Sequence, residues 1–489
     1  MPAARPRPLR SVLWRSQIAG PALLVAAIVS SFAGASPAAA KPKQGLLRGL
    51  ADTALTAADE QQQDLVFDEA VSAGAGVVRL NLSWRVVAGA VPPATPQNPA
   101  DPSYQWGETD QAVREAAQRG LEVLFTITRA PDWAEGGGRP AQNVAPAGTW
   151  RPDPGAYGAF AQATATRYSG SFPDPTGAGS LPWVRYYQAW NEPNLSLHLT
   201  PQWSNGQPQS PGVYRGMLNA FFAGVKSVNP DNVVVTGGTG PYGDPPQNAD
   251  RPQGSRVRPL QFVRNLLCVE GGACPDPPQL DVLAHHPINT TGSPTQGALD
   301  PDDISSPDLD RVRDVLRQAE QAGNVVPSGT HPLWVTEFWW PSNPPNQTYG
   351  DPPKKQARFI AESLYLFWRD GASAAINLEV QDNPGGVGPI ADGSGIFFSN
   401  GTPKPAMTAF RFPFVAERLN KRKVRVWGQA PTVGPVKIQR KAGGRWRKVK
   451  TMKVQPGEVF QRSLRVSGNP PLRAAIGKDK SLAWRPLSG

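Results

Sequence analysis

From Gly45 to about Phe414, short apolar runs alternate with longer amphipathic stretches, the pattern of repeated strand–helix units that build a parallel sheet. The runs Gly45–Ala51, Val77–Trp84, Leu121–Thr128, Val184–Trp190, Asn232–Gly237, Leu280–His285, Leu333–Thr336 and Ser373–Leu378 predict eight strands. Several are unbroken and rich in Val, Ile and Leu, as strands covered on both faces must be. Between them, Leu218, Phe221, Phe222 and Val225 recur at helical spacing, as do Val312, Val315, Leu316 and Ala319, and Ile360, Leu364 and Phe367. Gly120, Gly371 and the pair Asn229-Pro230 mark helix ends. Eight such units over roughly 370 residues predict an α/β chain folded as a (β/α)8 TIM barrel with long loops. A doubly wound open sheet is the alternative, but Leu47-Arg48-Gly49 is not a phosphate-binding glycine turn.

Beyond Phe414 the texture changes. Val424–Trp427, Val436–Arg440, Trp446–Val449 and Arg462–Val466 are short strand-like runs, with a hairpin turn expected at Ala442-Gly443-Gly444. The expected organisation is a leader over residues 1–40, a barrel over 41–417 and a small all-β, sandwich-like domain over 418–489.

The leader reads as a secretory signal. Arg5, Arg7, Arg10 and Arg15 precede the mostly apolar run Ile18–Gly34, and Ala38-Ala39-Ala40 supplies a small-residue cleavage site. Gly20 and Pro21 interrupt that run, which is short for a span of about 20 residues, so cleavage near Ala40 and export are expected rather than membrane anchoring. The two cysteines, Cys268 and Cys274, enclose Gly271 and Gly272 and are expected to form a local disulfide in an oxidising compartment. No metal site is expected from two cysteines outside any CxxC pattern and only four histidines.

The net charge of +11 is unevenly spread. Residues 418–489 hold 19 Lys and Arg against two acids, and the leader holds four Arg, so residues 41–417 carry −10. An acidic body with a basic tail is not the footprint of a nucleic-acid binder, and export removes that partner. The tail is expected either to dock on an anionic cell-wall polymer or simply to present solvated lysines.

A barrel of this kind displays its chemistry at the C-terminal ends of its strands. The fourth run, Tyr186-Tyr187-Gln188-Ala189-Trp190, leads into Asn191-Glu192-Pro193-Asn194, and the seventh, Leu333-Trp334-Val335-Thr336, into Glu337-Phe338-Trp339-Trp340. Two carboxyl groups thus reach the same face from opposite sides of the mouth. Glycosidic cleavage needs one protonated carboxyl for the leaving oxygen and a second carboxylate to attack, about 5–5.5 Å apart when configuration is retained. Like charges that close drive the two pKa values apart. Pro193 is expected to hold Glu192 extended and so to help end the strand. Asn191 is suited to a sugar hydroxyl beside the reacting carbon.

Trp190-Asn191-Glu192-Pro193 and Thr336-Glu337 resemble glycoside hydrolase clan A, barrel enzymes with Asn-Glu after strand four and Glu after strand seven. The resemblance implies a retaining glycosidase over residues 45–415, with Glu192 as acid/base and Glu337 as nucleophile, without a cofactor. Arg79 resembles the clan's second-strand arginine, which helps hold the nucleophile ionised; a structural ion pair is the other reading. Thr128–Trp133 resembles a third-strand loop lining the subsites, with Trp133 a stacking platform. Strand six ends in His285-His286-Pro287 where many members have His-x-Tyr; either histidine is a candidate sugar contact. Asn377-Leu378-Glu379 stands where the clan often has Trp, which leaves Trp339 and Trp340 as candidate aromatic walls. The segments Gly240–Pro259 and Pro287–Pro307 are candidate cleft walls. The expected function is therefore a secreted glycosidase acting on a poly- or oligosaccharide. The alternative is an exoprotein that binds carbohydrate on the same barrel without cleaving it. The motifs do not specify the sugar, the linkage or endo versus exo action.

Overall fold

In the computed structural model, residues 45–487 are described apart from residue 58 and segments 246–255, 271–273, 290–291 and 384–387. The expected leader lies outside the described residues. Among the described residues no helix is long and apolar enough to cross a membrane.

All eight expected barrel strands form: β1 Leu47–Ala51, β2 Val77–Ser83, β3 Glu122–Thr128, β4 Tyr186–Ala189, β5 Val233–Thr236, β6 Leu283–His285, β7 Leu333–Phe338 and β8 Ala372–Leu378. They pair in parallel in the order β5-β4-β3-β2-β1-β8-β7-β6. Isolated parallel bridges Val235–Val282 and Thr239–His285 join the two ends and close the barrel. Several strand ends shift from expectation, the sixth strand starting only at Leu283 and the fourth at Tyr186, and two of the shifts fall at the motifs. The fourth stops at Ala189: Trp190 turns to φ +74°, its amide giving a last bond to the Ile127 carbonyl at 3.1 Å. The seventh continues through Glu337, since Phe338 still pairs with Asn377.

The longer helices among the described residues are α1 Glu60–Ser72, α2 Gly107–Gln118, α3 Pro154–Arg167, α4 Ser210–Val228, α5 Pro259–Leu266, α6 Leu309–Ala322, α7 Pro353–Arg369 and α8 Pro405–Arg411, beside a single turn at Trp84–Ala88. Local sequence explains their ends. Asp59 and Asp153 cap α1 and α3 by accepting from first-turn amides. Proline opens α3, α5, α7 and α8, where its missing N–H costs nothing. Gly323 ends α6 in the left-handed conformation at φ +72°. The helical stripes seen in the sequence face inward: Leu218, Phe221 and Val225 of α4, Val312, Leu316 and Ala319 of α6, and Ile360, Leu364 and Phe367 of α7 are all buried. The barrel's own interior is filled by alternate strand residues, including Ala51, Val77, Leu124, Val235, Ala284, Trp334 and Ile376.

The C-terminal region is an all-β sandwich. One sheet comprises β9 Phe414–Asn420, β10 Lys423–Gln429 and β13 Val459–Arg465; the other comprises β11 Gly434–Ala442, β12 Arg445–Val454, β14 Leu472–Ile476 and β15 Asp479–Lys480. Gly443 and Gly444 form the β11–β12 turn, both at positive φ, as a two-residue hairpin requires. Phe414, Val424, Val426 and Phe460 of one sheet meet Val436, Ile438, Leu472 and Ile476 of the other. Strand β9 runs across residues 417 and 418, so it straddles the boundary expected from composition. Trp427 leaves this core and packs on Tyr365 and Trp368 of α7, at ring distances of 5.5 and 5.9 Å. Gln429 donates to the Leu46 carbonyl at 2.8 Å.

Candidate active site

After β4 the chain makes a tight turn rather than continuing extended. Trp190 and Glu192 adopt φ of +74° and +41°, a region that non-glycine residues seldom enter. Pro193 was expected to keep Glu192 extended, and here the expectation is corrected. The Glu192 amide donates to the Gly238 carbonyl at 3.0 Å, and the Leu195 amide donates back to the Glu192 carbonyl at 2.9 Å. Asn194, wholly buried, exchanges hydrogen bonds with the Gly240 main chain and also donates to the Val257 carbonyl. These tertiary bonds outweigh the intrinsic preference of the residue before proline.

The turn aims Glu192 across the mouth at Glu337. One oxygen of each carboxylate and a ring nitrogen of His286 all lie within 4.8 Å of one another. His286 Nδ1 is 3.0 Å from Glu192 Oε1 and 3.8 Å from Glu337 Oε2. On the far side, Arg79 Nη1 lies 3.1 Å from Glu337 Oε2 while Nη2 donates to Asn191 Oδ1 at 2.7 Å. Arg79 thus balances charge at Glu337, and the trio needs no metal ion for that purpose.

Beneath this layer lies a polar floor that the sequence reading did not single out. Gln188 accepts from Arg79 Nε and Thr126 Oγ1, and its amide donates to the Thr236 carbonyl and Thr336 Oγ1. Thr336 Oγ1 stands 3.0 Å from His286 Nε2. Because Gln188 donates to that hydroxyl, the hydroxyl proton is available to a neutral Nε2, leaving the ring proton on Nδ1 facing Glu192. The signal was present as polar residues inside otherwise apolar strand runs, at Thr126, Gln188 and Thr336. Gly238 makes room for the ring: a Cβ there would lie 2.3 Å from His286 Nε2.

Electrostatics divide the candidate histidines. His285 is fully buried, bonded to Thr239 Oγ1 and close to the Ile304 carbonyl; burial pushes its pKa down to about 3. It has no exposed face for a sugar. His286 is equally buried and meets the two glutamates instead. A further histidine that the sequence reading passed over, His198, puts Nε2 3.3 Å from Glu192 Oε2. Burial pushes the Glu192 pKa up, but the contacts from His198 and His286 outweigh it and hold the carboxyl well below its usual range.

The aromatic candidates separate likewise. Trp340 is packed into the β7–α7 layer, bonded to Ser363 Oγ and against Phe359 at 4.6 Å. Trp339 is buried in the apolar cluster at the barrel interior with Leu378 and Ile288. Trp133 is half-buried, edge-on to Trp84 and bonded to the Gly89 carbonyl. After β8, Glu379 is fully buried, and burial, with Asp52 and Asp382 nearby, pushes it up to about 9. The loops after β5 and β6 enclose a cavity of about 230 Å³ lined by Pro241, Tyr242, Ile288, Asn289, Leu299 and Asp303. Gly240, beside Pro241, faces Glu192 so closely that a Cβ would lie 3.2 Å from Oε1. Cys268 and Cys274 are joined in a disulfide, as expected.

The sequence matches no known protein-family model and no curated protein. In three dimensions the chain is similar to a family 39 glycoside hydrolase from the gut symbiont Bacteroides cellulosilyticus WH2, with a TM-score of 0.54 at 16% identity. That match covers 87% of this chain and 81% of the other. It is also similar to a glucosidase from Croceicoccus marinus, with a TM-score of 0.50 at 14% identity over 86% and 94% of the two chains. The eight-stranded parallel barrel with its helices is thus a fold that this chain has in common with known glycosidases.

Proposed function

We propose that this chain is a secreted, retaining glycoside hydrolase that cleaves O-glycosidic bonds of a poly- or oligosaccharide by double displacement. The observation that carries the reading is the approach of Glu192 and Glu337 to within 4.8 Å from strands on opposite sides of the barrel mouth. That approach is nearer the separation of about 5–5.5 Å of a retaining pair than the about 6.5–9.5 Å that accommodates the extra water of an inverting one, which supports retention. Glu337 attacks the anomeric carbon while Arg79 offsets its charge, and Glu192 gives its proton to the leaving oxygen. Water then enters, Glu192 takes its proton, and the glycosyl–Glu337 ester is broken. The Asn191 amide holds a hydroxyl next to the reacting carbon. The similarity in fold to a family 39 glycoside hydrolase and a glucosidase supports this reaction class.

Export rests on the Arg-rich start, the apolar run and the Ala38–Ala40 site. For the sandwich we propose a dock on an anionic wall polymer. Its β11–β12 hairpin carries eight Lys and Arg with no acid, among them the exposed Lys437, Arg440, Lys448, Lys450 and Lys453. Pull-down of the full chain and of a form lacking residues 418–489 tests this, since charge-driven binding must weaken as salt rises.

The reaction is tested on a panel of aryl glycosides and polysaccharides, with product stereochemistry read by NMR. Net retention and loss of cleavage in Glu337→Gln are expected. Net inversion overturns the mechanism, and sugar binding without cleavage of any substrate favours the non-catalytic alternative.

A further inference from the structure

Both oxygens of Glu192 are met by imidazoles: Oε1 by His286 Nδ1 at 3.0 Å and Oε2 by His198 Nε2 at 3.3 Å. The two rings are not equivalent. His286 is wholly buried and its second nitrogen meets Thr336 Oγ1, whereas the His198 side chain keeps 18% of its surface. His198 comes from the chain just past the motif and is held firmly there. Its amide donates to the Leu195 carbonyl at 2.9 Å, and its carbonyl accepts from Trp190 Nε1 at 2.9 Å. Arg129 Nη1 donates to the Leu197 carbonyl, and Leu199 beside it is buried. The side chain is therefore aimed at Glu192 by an anchored turn.

We infer that His198 is a positioning residue for Glu192, which with His286 orients the carboxylate and favours its ionised form. The inference rests on the hydrolase reading, and it names a residue outside the Asn-Glu-Pro motif that governs the proton-transfer steps. The other charged groups facing Glu192 are Glu337, reached across His286 Nδ1 from β7, and Arg79 from β2, which bonds the adjoining Asn191. His285 lies behind them, wholly buried. The loop after β5 presents Gly240 there, without charge.

The consequence concerns both half-reactions. Glu192 releases one proton to the leaving oxygen and regains one from water, so His198 is neither consumed nor altered over the cycle. Favouring the ionised form makes Glu192 a ready base for hydrolysis of the glycosyl ester and confines its acid role to the acidic side of the pH range. Without His198, burial is opposed by His286 alone, and Glu192 takes up its proton at higher pH.

The test uses the full chain labelled with ¹³C at the glutamate side-chain carboxyl, the Glu192 resonance being identified by its loss in Glu192→Gln. His198→Phe is expected to raise the titration midpoint of that resonance by about one pH unit or more. His198→Gln, which keeps an N–H donor in place of the imidazole, should fall between. Where an aryl glycoside is cleaved, the alkaline limb of kcat/KM should move up by the same amount. If His198→Phe does not fold, His198→Gln carries the test. A midpoint unmoved in the folded variants overturns the inference. Azide rescue of Glu192→Ala on the same aryl glycoside tests the acid/base reading separately. Rescue with an unmoved midpoint sinks only the role of His198, while a moved midpoint without rescue sinks only the hydrolase reading.

Discussion

Arg79 and Glu337 are joined 3.1 Å apart at the mouth of the barrel, with the arginine side chain only 3% exposed. The same guanidinium also reaches Asn191, Thr126 and Gln188. A lysine could neutralise the glutamate but could not span all four partners with one planar group. Arg79→Lys is therefore expected to lower kcat/KM about a hundredfold or more, roughly 3 kcal/mol of transition-state stabilisation, with folding preserved. Activity within a few-fold of wild type would show that the fork geometry is dispensable.

Gly238 is required by close approach, not by its φ. A methyl group there would stand 2.3 Å from His286 Nε2 and 2.8 Å from Thr336 Oγ1. Gly238→Ala should push the imidazole off Glu192 at a stability cost of about 1–3 kcal/mol, and should depress activity more than it depresses the melting temperature. A crystal structure of the variant with His286 undisplaced contradicts this.

Glu379 carries a pH signature. Its pKa in the fold, about 9, is raised from an ordinary value of 4.5, so the native state holds a proton that the unfolded chain releases. The associated stability is full below pH 4.5 and is lost as pH rises from there through 9. Glu379→Gln keeps the neutral shape, and at pH 7 it should stabilise the fold by about 3 kcal/mol, with the advantage vanishing at pH 4. Denaturant unfolding at the two pH values measures it, and an equal difference at both is inconsistent with the account.

Trp427 is the sandwich's anchor on α7, buried against Tyr365 and Trp368. Trp427→Ala should cost about 3–5 kcal/mol and expose the segment ahead of β9 to protease before the barrel unfolds. Unchanged melting and protection would mean that Gln429 and the Glu417–Tyr365 contact suffice.

Much of the architecture was legible because strand and helix periodicity are local properties. Each of the eight apolar runs became a barrel strand, and the stripes on α4, α6 and α7 face the core. The sandwich was partly legible: Val424–Trp427, Val436–Arg440, Trp446–Val449 and Arg462–Val466 stood out, but Phe414–Asn420 and Leu472–Ile476 did not. Those strands alternate weakly and owe their form to pairing with β10 and β11.

At the site the division is sharper. Trp190-Asn191-Glu192-Pro193 and Thr336-Glu337 already name the two carboxylates, because a motif at a strand end is written in consecutive residues. Nothing consecutive marks His198 as a partner of Glu192, separates His285, bonded to Thr239, from His286, which meets Glu192, or turns Trp340 toward Ser363. Those assignments arise where segments far apart in the chain converge, and there hydrogen bonds and burial override local preference, as they do for the backbone of Glu192 itself.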